Sequence, residues 1–317
     1  MLLAEEQIQA DEALLQLGRR LRADGYRFTC VTPATHARNN AREGAGRART
    51  LRDVFGWSRP FAASLISADE LAQLTAAQVV VEEGELLRST VRWSSLDDLL
   101  LVHSAFPTDA SDAVFFGPDS YRFAQVIHDH LQRCPNRVQH AVDIGCGSGV
   151  GALLIARAAQ HAQVSAVDIN PLALRYTAIN AALAGVGNLS VEPSDLLDGI
   201  TGTFDLIVAN PPYMLDTSER VYRHGGGALG AGLSLRIVEQ ARERLSPGGS
   251  LLLYTGVAIV EGRDALLEAV RLCLAGPQWS WVYREVDPDV FGEQLLEPGY
   301  EQVERIAAVA LTVTRNT

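Results

Sequence analysis

Leu14, Leu17 and Leu21 recur at helical spacing and predict an amphipathic helix over residues 4–23. Residues 51–66 and 67–74 read as helical too, with Ser67 at an N-cap position and Glu70 three residues on, where a capping box would close. The period then drops to two. Residues 79–82, 85–93 and 99–103 alternate like strands, with Glu83-Gly84 as a turn. Near Ser111 the pattern changes again. Short apolar strands at 140–144, 163–167, 189–192, 204–209 and 250–254 alternate with helices, and two further strands follow at 279–286 and 306–314. Alternation of this kind predicts a doubly wound α/β sheet, with the last two strands as an antiparallel pair at one edge.

The change of pattern divides the chain into a smaller α+β part, residues 1–112, and a larger α/β part, residues 113–317. In the first part, helices followed by a β-hairpin give a winged-helix-like outline. Such modules serve as nucleic-acid binders or as plain scaffolds and substrate lids. Between the helices, residues 35–50 hold few large apolar side chains but do hold Asn39-Asn40, Gly44 and Gly46, and are expected to form a mobile loop, either a lid or a linker.

Charge sharpens this division. The net charge is −11, yet Arg19 through Arg59 carry ten arginines against Asp24, Glu43 and Asp53, or +7, which leaves −18 on the rest. An acidic body argues against broad nucleic-acid binding, which depends on neutralising phosphates. All 27 basic side chains are arginine. With no lysine, Schiff-base chemistry, a lysine base and the phosphate-loop lysine are excluded. The four cysteines, Cys30, Cys134, Cys146 and Cys273, show no paired spacing and read as reduced thiols, with no metal site. Glu5 and Glu6 interrupt the start of the chain before an apolar stretch of signal length can form, and no apolar run is long enough to span a bilayer. A cytoplasmic protein with no membrane partner is expected.

The strongest local signal is Val142-Asp143-Ile144-Gly145-Cys146-Gly147-Ser148-Gly149, placed where a strand passes into a helix. Its glycines permit a tight turn and let a ligand approach the backbone. Asp168 ends the next strand, followed by Ile169 and Asn170, where a carboxylate can grip a ribose diol. Ser194-Asp195 ends the third; Asp195 reads as an adenine contact or as a helix N-cap. Nicotinamide enzymes share the glycine pattern, but this set of acids resembles the class I S-adenosylmethionine methyltransferases. The resemblance implies a Rossmann-like sheet and S-adenosylmethionine as cofactor. It implies the methionine part on the glycine loop (Asp143, Gly145, Cys146, Gly147, Gly149), the ribose on Asp168 and the adenine amino group near Asp195.

Directly after the fourth strand stands Asn210-Pro211-Pro212-Tyr213. Consecutive prolines fix φ, remove two donors and leave rigid carbonyls. With the side-chain carbonyl of Asn210 they offer two acceptors for the N–H groups of a planar amine or amide. Tyr213 can stack on a flat group. This resembles the NPPY methyltransferases, whose targets are glutamine amides and exocyclic amines of bases, and the resemblance covers residues 113–315. It implies Asn210, Pro211 and Tyr213 as catalytic residues. It also implies an aromatic wall over the cofactor from Phe115, Phe116 and Tyr121, for which core packing is the alternative. Arg223-His224-Gly225-Gly226-Gly227 matches a glycine-bearing segment of glutamine-amide enzymes, with His224 either a base or a plain loop residue. Met214 and the N-terminal part depart from that family and leave the acceptor open.

Three functions follow. The first is N-methylation of a small amine or a protein amide. In the second, the α-amine of S-adenosylmethionine closes a four-membered ring and releases methylthioadenosine, as in azetidine-2-carboxylate synthases, which have this kind of fold. The third is a non-catalytic winged-helix regulator that binds nucleic acid.

Overall fold

A computed structural model describes residues 2–133, 138–214, 225–226 and 228–317, with backbone alone for 2–4 and 228. Cys134 lies outside them. Helix α1 (Leu2–Ala23) forms where the leucine spacing places it, and buries Leu14, Leu17 and Leu21. Of the loop expected over residues 35–50, the first part is helical instead, while 41–50 are turns. Pro33 opens α2 (Pro33–Asn40), capped by the Thr32 hydroxyl, and the turns after it bury Ala45 and Ala48. The periodicity reading failed here because the segment is anchored by small alanines and by a fully buried His36, none of which registers as a large apolar position.

Helix α3 (Leu51–Phe55) is shorter than the pattern predicts, because Ser58 adopts a left-handed φ of 52° and Pro60 follows. Its capping box is Thr50 with Asp53. The box expected at Ser67 does not form at the start of α4 (Ala68–Ala76); Ser67 makes no side-chain cap, and Glu70 pairs with Arg20 of α1 instead. The predicted strand over 85–93 is two strands. β1 (Val80–Glu83) pairs with β2 (Leu86–Ser89), and β3 (Val91–Leu96) pairs with β4 (Leu99–Ser104), as separate antiparallel ribbons. The break falls at Thr90, whose hydroxyl donates to the Gln78 carbonyl at 2.9 Å.

The rest builds the doubly wound sheet: α5 (Pro118–Arg133), β5 (His140–Ile144), α6 (Val150–Ala158), β6 (Gln163–Asp168), α7 (Pro171–Ala184), β7 (Leu189–Pro193), β8 (Phe204–Ala209), α8 (Gly232–Arg244), β9 (Leu245–Val260), β10 (Arg263–Asp264), α9 (Ala265–Cys273), β11 (Trp279–Asp287) and β12 (Arg305–Arg315). Among the described residues the order is β11-β12-β9-β8-β5-β6-β7, with β10 on β9. β12 and β11 are antiparallel, as expected, while β5 to β9 run parallel. β9 runs well beyond the predicted 250–254, because its outer part pairs with the long β12 rather than with β8. The chain winds one way from β5 to β7 and the other way from β8 to β9. The carboxyl ends of β5 and β8 therefore flank a switch point, where open α/β sheets bind ligands.

Helix α7 joins the two parts. Ala173, Tyr176, Ile179 and Leu183 share one core with α1, Trp93 and Val102, while Ala181 packs into the core on the sheet side. A helix buried on two sides needs no single apolar stripe. Asn180, fully buried, accepts from the Val102 N–H at 2.8 Å and donates to the carbonyls of Val102 (3.1 Å) and Ser148 (2.8 Å). It ties β4 to the glycine loop through α7.

Candidate active site

Asp143, Gly145, Cys146, Gly147, Asp168, Ile169, Asn170, Ser194, Asp195, Asn210, Pro211, Pro212 and Phe115 line one cavity over the switch point. The glycine loop turns there because Gly145, Gly147 and Gly149 take φ of 68°, 55° and 84°, where a side chain would be strained. Gly149 caps α6 and does not reach the cavity. Gly151 escaped the sequence reading. A Cβ there would lie 2.8 Å from the Asp143 carboxyl group and from a Val208 methyl, so this glycine lets α6 sit on the strand.

Asp143 is buried and accepts from the Ala152 N–H at 2.9 Å. Burial pushes its carboxyl up to about 7, against the opposing pull of backbone donors. Asp168 accepts from the N–H of Gly147 at 3.0 Å and of Asn170 at 2.9 Å, so it braces the loop while its oxygens keep further acceptor capacity toward the cavity. Burial raises its carboxyl as well, and these amides pull it back. Asn170 faces the cavity, but its side chain caps α7 at Leu172 and donates to the Asp112 carbonyl. Ser194 accepts from Gly199 at 2.8 Å, which folds the β7 exit back on itself. Asp195 and the exposed Ile169 form the rim, with Arg236 3.4 Å from the Asp195 carboxylate. Cys146 is a buried thiol that accepts from Thr177 at 3.4 Å; burial pushes it well up, out of reach as a thiolate nucleophile.

The lining carries Asp143, Asp168 and Asp195 and, among the described residues, no arginine or histidine. Such a site suits a cationic ligand with a diol. Peptide donors at the glycine loop, a carboxylate at the second strand end and apolar walls at Phe115, Ile169 and Leu196 match the parts of S-adenosylmethionine.

Besides Gly149, three expected site residues lie elsewhere. Phe116 is fully buried against His103 and Tyr121, and Tyr121 donates to no ligand site; its hydroxyl accepts from the Cys30 N–H at 2.9 Å. Of the expected aromatic wall only Phe115 faces the cavity. Tyr213 also turns away. Its ring lies under Gly256, where a Cβ would come 2.2 Å from it, and its hydroxyl donates to Asp119 at 2.6 Å. Free stacking on an acceptor is therefore not its role. Asn210, Pro211 and Pro212 remain at the wall. The loop is closed from behind: Gly225 donates to the Met214 carbonyl at 2.9 Å, and a Cβ on Gly225 or Gly230 would come within 2.2 Å of a backbone oxygen. Arg223, His224 and Gly227 lie outside the described residues, so the base candidate His224 has no structural account.

The fold and cavity define a class I methyltransferase. Residues 122–270 match the methyltransferase small domain family. The chain is 30% identical over 203 residues to release factor glutamine methyltransferase of Lactococcus lactis, a match covering 60% of this chain and 71% of that one. It belongs to the glutamine methyltransferase family. It is 38% identical over 164 residues to release factor glutamine methyltransferase of Deinococcus radiodurans, covering 48% of this chain and 55% of the relative. To ribosomal protein uL3 glutamine methyltransferase of Neisseria meningitidis serogroup A it is 35% identical over 140 residues, covering 41% and 45%. The chain thus spans only about half the length of several of these relatives. A solved structure, Trm5b from Pyrococcus abyssi, shares the fold with a TM-score of 0.51 and 19% identity, over 75% of this chain and 62% of that one.

Proposed function

We propose that the chain transfers the methyl group of S-adenosylmethionine to the side-chain amide nitrogen of a glutamine in a protein acceptor. The observation that carries this reading is that Asn210, Pro211 and Pro212 share one cavity with the glycine loop and Asp168. When bound, S-adenosylmethionine supplies an activated methyl group on a sulfonium. Gly145 and Gly147 hold its methionine part, Asp168 its ribose, and Asp195 with Ile169 its adenine. The side-chain carbonyl of Asn210 and a backbone carbonyl of the diproline accept the two amide N–H groups and fix the nitrogen in one orientation. A fixed pair of acceptors also increases electron density on a nitrogen that amide resonance otherwise drains. No base in the described lining is required, because the proton can leave to water after attack. Residues 1–112 form the acceptor-side part in this reading, and an acceptor among translation proteins goes with a cytoplasmic reaction, a location supported by the names of the relatives. Among the described residues no helix is long and apolar enough to cross a membrane.

The test uses methyl-labelled S-adenosylmethionine with a translation release factor or ribosomal protein uL3 as acceptor, and locates the label by mass spectrometry. Label on a glutamine, with turnover falling at least about 100-fold in Asn210→Ala while cofactor affinity holds, is the expected result. Methylthioadenosine and a cyclic amino acid formed from S-adenosylmethionine alone would replace this reading with ring closure.

A further inference from the structure

Asp119 is 4% exposed and opens α5, the helix that also sends Ser120 and Phe123 to the cavity wall. Its two oxygens face two tyrosines. Oδ2 accepts from Tyr213 at 2.6 Å, and Oδ1 accepts from Tyr254 of β9 at 2.8 Å. Arg122 lies 3.3 Å from Oδ1 and reaches on to Asp287 at the end of β11, at 2.6 Å. A buried carboxylate is expensive unless its charge and lone pairs are taken up, and here two phenols and a guanidinium do so. Arg122 also hydrogen-bonds the Tyr254 hydroxyl, so the guanidinium joins the cluster at both the carboxylate and the phenol. Both phenols are themselves held protonated, since burial and the adjacent carboxylate push Tyr213 and Tyr254 up. Each donates its one hydroxyl proton to Asp119, whose own carboxyl is raised by burial against the pull of these donors and of Arg122.

Tyr213 is the residue immediately after Pro212, which lines the cavity. Diproline leaves the loop few torsions, so pinning the Tyr213 phenol constrains the carbonyls two and three residues back. Gly256 provides the slot for the ring, and Gly225 and Gly230 close on the backbone behind it. We infer that Asp119 is a positioning residue: by binding the hydroxyls of Tyr213 and Tyr254 together it locks the Asn210-Pro211-Pro212 carbonyls to a helix that also lines the cavity. The inference rests on the methyl-transfer reading for its kinetic consequence, but the tether itself is independent of it.

Asp119→Asn keeps the shape and leaves one acceptor oxygen for two hydroxyls. Turnover with the acceptor protein should fall about 10- to 100-fold, the range for losing a charge-assisted hydrogen bond, while the Kd for S-adenosylmethionine stays within about 3-fold. Tyr213→Phe removes the same bond without stranding a charge, which keeps the test open if Asp119→Asn folds poorly. It should lose about as much turnover, whereas Tyr254→Phe loses less because the loop keeps its own bond. The double variant Asp119→Asn/Tyr213→Phe should be no worse than the poorer single one, since both remove one shared contact. Independently of turnover, backbone exchange at Tyr213 and Met214 should accelerate about 10-fold in Tyr213→Phe. Wild-type turnover with unchanged rates in both single variants, or fully additive losses, would overturn the tether. A wild-type protein that methylates neither acceptor would instead overturn the functional reading, and the exchange measurement alone would then decide the tether: unchanged exchange rejects it.

Discussion

Asp143 shows most clearly what the sheet does to a single side chain. It sits in the strand at the switch point, buried, and burial lifts its carboxyl to about 7. Its unfolded value is near the ordinary one for aspartate, about 4. Between those two values the native state binds the proton and the unfolded chain does not, so the slope of stability against pH is negative there. The protein should therefore gain stability as pH falls from about 7 toward 5, at up to about 1.4 kcal/mol per pH unit from this group. Asp143→Asn, which still offers an oxygen to the Ala152 N–H, should lose that slope. Urea midpoints at a series of pH values read it out; equal slopes in wild type and variant would mean that Asp143 is ionised across the range. The position of Asp143 was legible from sequence, as were those of Asp168 and Asn210, because each lies within a residue of the end of a strand of recognisable period. Asp119 and Tyr254 were not, since their only distinction is a contact between residues 135 positions apart.

At the scale of elements, legibility followed hydrophobic contrast. The parallel strands and the edge pair read correctly in place and order because apolar residues mark each of them, as a continuous run over residues 206–209 of β8 and by alternation in β11. The N-terminal helices and ribbons read less well, because their boundaries are set by Ser58 in a left-handed turn and by Thr90 between strands, neither of which changes the apolar pattern. The arginine-rich segment is the sharpest case. Its charge and small residues read as a loop, yet it carries α2, buries His36, Ala45 and Ala48, and ends in the Thr50 cap whose partner Asp53 also pairs with Arg59 at 2.9 Å. Deleting residues 35–50 should therefore lower stability by more than about 2 kcal/mol, roughly a lost cap plus vacated core positions. Chemical denaturation checks this. A deletion variant with the wild-type midpoint would show a segment that carries no part of the core.

For the whole molecule, the question is whether the N-terminal part can move independently of the cofactor loop. The packing says it cannot do so cheaply. Asn180 spends its side chain on Val102 in one part and on the Ser148 carbonyl in the other, all without access to water. Thr177, one turn earlier, donates to the Gly147 carbonyl at 3.1 Å. One helix thus holds both ribbon and loop, and what disturbs the first should be felt at the second. Asn180→Ala leaves a buried N–H and two carbonyls without their partner, a loss on the order of 2–4 kcal/mol. If the loop is held by this rivet, the variant should also bind S-adenosylmethionine about 3- to 10-fold more weakly, because the loop must be ordered on binding and that order is no longer prepaid. Asn180→Ala that loses stability but keeps wild-type affinity by calorimetry would separate the two effects and confine Asn180 to the core. Coupled losses would mean that the N-terminal part, which lies outside the residues matched by the family model, is also a structural support of the glycine loop.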